Sequence, residues 1–164
     1  ISAPSRTRVP EYVKEREDVE MLVGQINGKF SEMGWAPIRY LYRYFPQRDL
    51  ARFYHDADVG MVTPLRDGMN LIAKEFVAAQ GDDSGVLLLS RFSGAAVEMG
   101  DAVVVNPYDI DGTSEALYMA LQMPKPERVE RWRSMMDVVV SNSSSHWGES
   151  FYGDLERGTE GISG

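Results

Sequence analysis

The chain has 164 residues, of which 43% are hydrophobic, and this is enough for one globular domain with a buried core. Its net charge of −8 argues against non-specific nucleic-acid binding, and no apolar run approaches the length of about eighteen residues that a membrane span requires. The absence of cysteine excludes disulfides and thiolate metal sites and is compatible with a reducing compartment, so we expect a cytoplasmic protein.

The charge distribution and the histidine content further limit the kinds of ligand site and catalytic site that the chain can form. Residues 1–52 carry nine basic and seven acidic side chains, whereas the rest of the chain carries eight and eighteen. An anionic ligand must therefore be held by local groups rather than by the overall field. The two histidines, His55 and His146, are far apart in sequence, which disfavours a histidine metal site and a Ser-His-Asp hydrolase.

The first third of the chain predicts a long helix, a strand and a short helix. The sequence opens at Ile1 like the end of a strand, so we interpret the chain as a fragment that lacks its first strand or strands. Pro10 suits the first turn of a helix that extends to about Phe30. A strand over residues 38–42 and a helix over residues 46–57 follow. The long helix is expected to bury one apolar stripe, formed by Val13, Val19, Leu22, Val23 and Ile26.

The remainder of the chain alternates between apolar strands and helices. The predicted strands cover residues 59–62, 86–89 and 102–105, and the predicted helices cover residues 70–80, 95–99, 113–123, 126–141 and 146–155. This alternation predicts an α/β fold with a parallel, doubly wound, Rossmann-like sheet. Such sheets bind ligands at the carboxyl ends of their strands, so the loops after Val62, Leu89 and Val105 are candidate site loops.

The loop that follows the strand at residues 59–62 is the most informative part of the chain. Pro64 ends the apolar run, and a charged stretch containing Asp67 and Gly68 precedes a helix that starts near Asn70. Free backbone N–H groups and a helix dipole at such a point suit an anion. Glu75 follows about two helical turns after Asp67. Backbone amides can bind the phosphates of a ligand, and the two carboxylates can bind its hydroxyl groups. This combination favours a sugar nucleotide as the ligand.

Three segments carry a family resemblance, at residues 63–76, 89–96 and 105–109, with shorter matches at 3–6, 26–30, 34–35, 120–124 and Pro37. Together they resemble trehalose-6-phosphate synthases, which are retaining glycosyltransferases of the two-domain GT-B type. The resemblance implies that residues 1–157 form an N-terminally truncated, C-terminal donor-binding domain and that residues 158–164 form a disordered tail. The chain departs from the family at Phe76, where Tyr is usual, and at Ser93, where Ala is usual.

The resemblance also implies an activity and a set of site residues. Such enzymes transfer glucose from UDP-glucose to glucose 6-phosphate, without a metal or another cofactor. Asp67 would be the catalytic-site acid that binds the glucose hydroxyls, Glu75 would bind the ribose, and the backbone at Phe45 would contact the uracil. Arg6 would hold the acceptor phosphate. The donor-binding residues at the helix start would be Gly68, Met69, Asn70, Leu71, Ile72, Ala73 and Lys74. Lys74 has an alternative role, as the partner of an acid.

Several alternatives remain open from the sequence. The acceptor could be glycerol 3-phosphate or a cyclitol phosphate, the donor base could be guanine or adenine, and a catalytically silent paralogue could only bind sugar phosphates. The family's diphosphate-binding Arg and Lys, and its N-terminal domain, are not in this sequence. We therefore expect the isolated chain to be a poor catalyst, and its exposed sheet edge to favour association, including homo-oligomers.

Overall fold

A computed structural model describes residues 1–5, 8–81 and 85–142. The chain divides into two compact units, Ile1–Asp49 and Leu50–Gly164. The regular elements are, in chain order, α1 (Pro10–Phe30), α2 (Gln47–His55), β1 (Val59–Val62), α3 (Leu71–Ala79), β2 (Val86–Ser90), α4 (Ala95–Glu98), β3 (Val103–Val105), α5 (Ile110–Gln122) and α6 (Lys125–Ser141). The helix predicted at residues 146–155 and the tail predicted at 158–164 lie outside the described residues.

The sheet of the second unit has three parallel strands in the order β1-β2-β3. Val59 lies opposite Val86 in the first pair of strands, and Leu88 lies opposite Val103 in the second. All five residues of β2 are buried, which is typical of a central parallel strand whose two faces are both covered. The predicted parallel α/β fold is therefore confirmed.

Helices cover both faces of this sheet. Leu87 and Leu89 belong to one core cluster, together with residues of α3 and α6, whereas Leu88 packs with Ala116 of α5 in a second cluster. Successive residues of a strand point to opposite faces, so β2 contributes to both clusters. Full burial of one such leucine stabilises the fold by about 1.5–3 kcal/mol. The sheet is thus doubly wound, as the alternation of elements predicts.

The predicted strand at residues 38–42 is wrong as a regular strand. Tyr42 forms only an isolated parallel bridge with Ser2, whose N–H donates to the Leu41 carbonyl at 2.8 Å. The side chain of Asn27 binds both backbone groups of Ile38, at 2.9 and 3.0 Å. An apolar pattern predicts an extended segment, but a strand also needs a neighbour over several residues, and the described chain provides one rung.

The predicted burial of the apolar stripe of α1 is also wrong. No described residue of the first unit is buried, and Leu22 of α1 is 52% exposed. Val19 and Ile26 are each 38% exposed. Helical periodicity fixes which side chains share a face, but it does not determine whether a second layer covers that face.

Candidate functional site

The loops after β1 and β2 meet at the carboxyl edge of the sheet. The Asp67 N–H donates to the Phe92 carbonyl at 3.2 Å, and the Gly94 N–H donates to the Asp67 carbonyl at 3.0 Å. These bonds create an isolated parallel bridge between Asp67 and Ser93. A Cβ at position 94 would overlap the Gly68 carbonyl oxygen, so this close approach requires glycine. The backbone on both sides of Asp67 is therefore fixed by the neighbouring loop.

The loop after β3 reaches the same edge. The ring of Tyr108 meets the ring of Phe92 edge to face, with 5.7 Å between centroids. Asp109 caps α5 by accepting a hydrogen bond from the Gly112 N–H at 2.9 Å. Side-chain contacts thus join the second and third loops, and the prediction that all three loops share one edge of the sheet is confirmed.

Asn70 connects the Asp67 carboxylate to α3. Its Nδ2 donates to Oδ2 of Asp67 at 2.7 Å, and its Oδ1 accepts from the Ala73 N–H at 2.9 Å, which caps the helix. Its backbone is left-handed, with φ 66° and ψ 82°, a conformation that asparagine tolerates better than most residues. One buried side chain therefore satisfies a free helix N–H and holds the carboxylate.

The N-terminus of α3 lies beside this carboxylate, because Asn70 both caps the helix and binds Asp67. The first N–H groups of a helix have no partner within the helix, and they lie at the positive end of its dipole. Residues at this end of the helix are exposed to solvent: Met69, Leu71 and Ile72 are 55%, 59% and 51% exposed. The first backbone N–H groups of α3 therefore lie next to Asp67, and the binding of a phosphate by them stays a prediction.

Glu75 lies on the exposed side of α3 and is paired with Tyr54 of α2. The Tyr54 hydroxyl donates to Oε2 of Glu75 at 3.4 Å, and its ring packs edge-on against Phe76. Burial raises the pKa of Tyr54, and the charge of Glu75 raises it further, so the hydroxyl remains a donor at neutral pH. Spacing along the chain gives no sign of this pair, because the two side chains come from different helices.

Lys74 is paired with Glu98 of α4. Its Nζ lies 2.7 Å from Oε2 of Glu98, and Asn142 donates to the same oxygen at 3.3 Å. The hydrogen bond from Lys74 lowers the pKa of Glu98, although partial burial acts in the opposite direction. The ammonium group thus joins α3 to α4, which agrees with the alternative role from the sequence. Ligand binding by Lys74 stays a prediction.

Two predicted site residues lie away from these loops in the sequence. Phe45 belongs to the first unit, where the Arg43 guanidinium carbon lies 4.6 Å from the centroid of its ring. Arg6 lies outside the described residues. A uracil contact at Phe45 and an acceptor-phosphate contact at Arg6 therefore stay predictions.

The described part of the chain contains neither a cluster of metal-ligating side chains nor a helix suited to span a membrane. Residues 1–5, 8–81 and 85–142 contain no group of three or more His, Cys, Asp or Glu side chains placed to hold a metal ion. Over the same ranges, none of the helices combines the length and the apolarity needed to cross a bilayer.

Comparisons with known proteins point to one family. The model of Glycosyltransferase family 20 matches residues 1–157. The trehalose-6-phosphate synthase of Enterobacter sp. (strain 638) is 48% identical over 160 residues, which are 97% of this chain and 34% of that protein.

Solved structures show the same relationship. The alpha,alpha-trehalose-phosphate synthase (UDP-forming) from Burkholderia xenovorans, in complex with glucose-6-phosphate, is 48% identical with a TM-score of 0.91, over 95% of this chain and 35% of that one. A structure from E. coli, bound with UDP-2-fluoro glucose, is 49% identical with a TM-score of 0.89, over 92% and 34%.

The matches cover almost all of this chain, which is enough to assign its family. They cover only part of each relative, so the activity of the whole relatives is not shown for this chain. The chain spans about a third of the length of the relatives it matches. The family model nevertheless covers almost all of it, and the resemblance stated from the sequence motifs is confirmed. The chain therefore belongs to glycosyltransferase family 20.

Proposed function

We propose that this chain is the donor-binding part of a retaining glucosyltransferase that moves glucose from UDP-glucose to glucose 6-phosphate and forms trehalose 6-phosphate. The observation that carries the proposal is the Asp67 carboxylate, held beside the open N-terminus of α3. The similar structures that contain UDP-2-fluoro glucose and glucose-6-phosphate support the donor and the acceptor. The alternative function, a related synthase with another phosphorylated acceptor, differs from this proposal only in the second substrate.

The proposed roles follow from the chemistry of each group. Asp67 accepts hydrogen bonds from hydroxyls of the transferred glucose. Backbone N–H groups from Gly68 to Leu71, together with the helix dipole, stabilise the charge that develops on the leaving diphosphate. Glu75 accepts hydrogen bonds from the ribose hydroxyls, while Tyr54 restrains its carboxylate. These groups are in place before the ligand arrives, which lowers the reorganisation needed during transfer.

The remaining roles concern parts of the enzyme beyond these loops. We propose that residues 1–157 belong to the C-terminal domain, that Phe45 contacts the uracil and that Arg6 binds the acceptor phosphate. Because the relatives are about three times as long as this chain, we expect it to transfer glucose poorly by itself. The absence of cysteine supports a cytoplasmic location, and exposed apolar side chains such as Val97 and Met33 support self-association.

Replacement of Asp67 tests the proposal in the full-length protein, in which this chain is completed to the length of its relatives. In Asp67→Ala, the kcat for UDP release from UDP-glucose and glucose 6-phosphate should fall by about 100-fold or more, because a group that acts on the transferred sugar is lost. Calorimetric affinity for UDP, which has no glucose, should change little.

A matched control uses a carboxylate at the opposite edge of the sheet. Asp101 lies just before β3 and accepts a hydrogen bond from the Ser134 hydroxyl at 2.5 Å. Asp101→Ala removes a hydrogen-bonded acid of the same kind and should leave kcat within about twofold of the wild-type value. Full turnover in Asp67→Ala would contradict the proposed role of Asp67.

A further inference from the structure

We propose that Asn70 is a positioning residue, whose side chain orients the Asp67 carboxylate for the transferred sugar in addition to capping α3. The inference rests on the proposed function of Asp67. Its structural basis is the pair of hydrogen bonds through one amide, 2.7 Å to Oδ2 of Asp67 and 2.9 Å from the Ala73 N–H.

The backbone of Asn70 is more unusual than a helix cap requires. An ordinary capping residue has an extended backbone, as Asp109 has at the start of α5, with φ −98° and ψ 92°. Asn70 is the only non-glycine residue with a positive φ among those that the structure describes. A left-handed conformation is unfavourable for L-residues, and such strain persists where the surroundings impose it, often at functional sites. Capping alone therefore does not explain this geometry.

The amide of Asn70 also supplies what other capping side chains lack. An aspartate would accept from the Ala73 N–H but would offer no proton to Asp67, whereas the asparagine amide has both an acceptor and a donor. The bond to a carboxylate is charge-assisted and stronger than a bond between neutral groups. Because Oδ1 accepts from the helix, the N–H that faces Asp67 is further polarised.

The consequence for Asp67 is a carboxylate with one engaged oxygen and one open oxygen. Oδ2 is held by Asn70, while Oδ1 has no hydrogen bond from any residue in the described ranges. The backbone bonds to Phe92 and Gly94 fix the other end of the residue. We infer that this leaves Oδ1 in a defined direction for a sugar hydroxyl, and small misplacements of such groups reduce turnover strongly.

Asn70→Gly in the full-length protein separates positioning from capping. Glycine keeps the left-handed backbone, and at a cap position it reduces stability by only about a few tenths of a kcal/mol, yet it removes the donor to Asp67. We expect kcat to fall about tenfold or more, while the affinity for UDP stays within about threefold, because UDP lacks the sugar that Asp67 contacts. Asn70→Asp, which keeps the acceptor for the Ala73 N–H, should lose kcat as well.

A control variant acts on the other end of α3. Trp132 donates from Nε1 to the Val77 carbonyl at 3.0 Å, so Trp132→Phe loosens the same helix away from Asp67. It should lower the unfolding temperature and leave kcat unchanged. If Asn70→Gly and Asn70→Asp both keep wild-type kcat while Asp67→Ala is inactive, Asn70 is only a cap and the inference is overturned.

Two further outcomes also decide the inference. A parallel loss of UDP affinity and kcat in Asn70→Gly would indicate general damage to the loop and would overturn the positioning role. If the wild-type protein does not release UDP from UDP-glucose, or if Asp67→Ala remains active, the proposed function itself fails, and the role of Asn70 fails with it.

Discussion

The two units of the chain, Ile1–Asp49 and Leu50–Gly164, differ in how they use apolar residues. α1 in the first unit is 21 residues long and has a stripe of branched apolar side chains, yet none of its residues is buried. β2 in the second unit is five residues long, and all five are buried. Apolar content therefore does not measure burial, and the loops that carry Asp67 and Asn70 belong to the unit with its own core.

The largest expected difference in stability is between a leucine-to-alanine substitution in the second unit and the same substitution in the first. Leu88→Ala removes a side chain that is fully buried between β2 and α5 and should lower the free energy of unfolding by about 2–5 kcal/mol. Leu22→Ala removes a side chain that is 52% exposed on α1 and should change it by less than about 0.5 kcal/mol. Urea denaturation of the 164-residue chain measures both. Equal losses of unfolding free energy in the two variants would mean that Leu22 is buried in solution, which would contradict this comparison.

Glycine-to-alanine substitutions compare the two units again, with effects on stability of intermediate size. Gly94→Ala places a methyl group against the Gly68 carbonyl oxygen, so the two site loops must separate, and we expect a loss of about 1–3 kcal/mol. Gly24→Ala in α1 meets no atom within 4 Å and should stabilise the helix by about 0.5–1 kcal/mol. Thermal unfolding distinguishes opposite signs. If Gly24→Ala lowered the unfolding temperature, the space around Gly24 would be occupied in solution, for example by a second copy of the chain, and the expectation would be wrong.

Ion pairs give the smallest expected difference and depend on pH. The folded-state pKa of Glu98 is lower than its ordinary value of 4.5, mainly because Lys74 donates a hydrogen bond to it. Its contribution to stability is therefore present above the ordinary pKa and is lost as the pH falls through the folded value. Both side chains are partly exposed, which limits the pair to less than about 1 kcal/mol.

The variants Glu98→Gln and Glu20→Gln test this expectation. Glu98→Gln should destabilise the chain at about pH 7, and the difference from wild type should shrink as the pH is lowered below about 4. Glu20 pairs with Arg16 along α1 at 3.5 Å, and because this pair is exposed to solvent, its loss should change the free energy of unfolding less than the loss of Glu98 does. A difference for Glu98→Gln that grows on acidification would contradict the assignment of the Lys74–Glu98 pair.

The sequence predicts the sheet of the second unit well, for physical reasons. The continuous apolar runs around Val59, Leu88 and Val103 indicate strands covered on both faces, and the breaker Pro64 marks the end of β1. Asn70 is predicted near a helix start, and the structure places it at the cap of α3. These predictions depend on local patterns, so a sequence is enough to make them.

The features that the sequence does not predict depend on contacts between distant segments. Tyr54 reaches Glu75, Lys74 reaches Glu98, and Gly94 lies against the carbonyl oxygen of Gly68. Each contact joins two different helices or loops, so its partner is set by how those elements pack rather than by spacing. Among the described residues, the extended segment that ends at Tyr42 forms one bridge, to Ser2, and this pairing likewise depends on a distant segment.

The order of the strands has a consequence for how the second unit is made. β1, β2 and β3 are neighbours both in the sheet and along the chain, so each strand can pair as soon as the next one is available. The bridge between Asp67 and Ser93 needs only β1, β2 and their loops. These pairings are local along the chain, which favours rapid folding, but both faces of β2 are covered only when α5 and α6 have packed, so we expect the frame around Asp67 to become stable together with these helices.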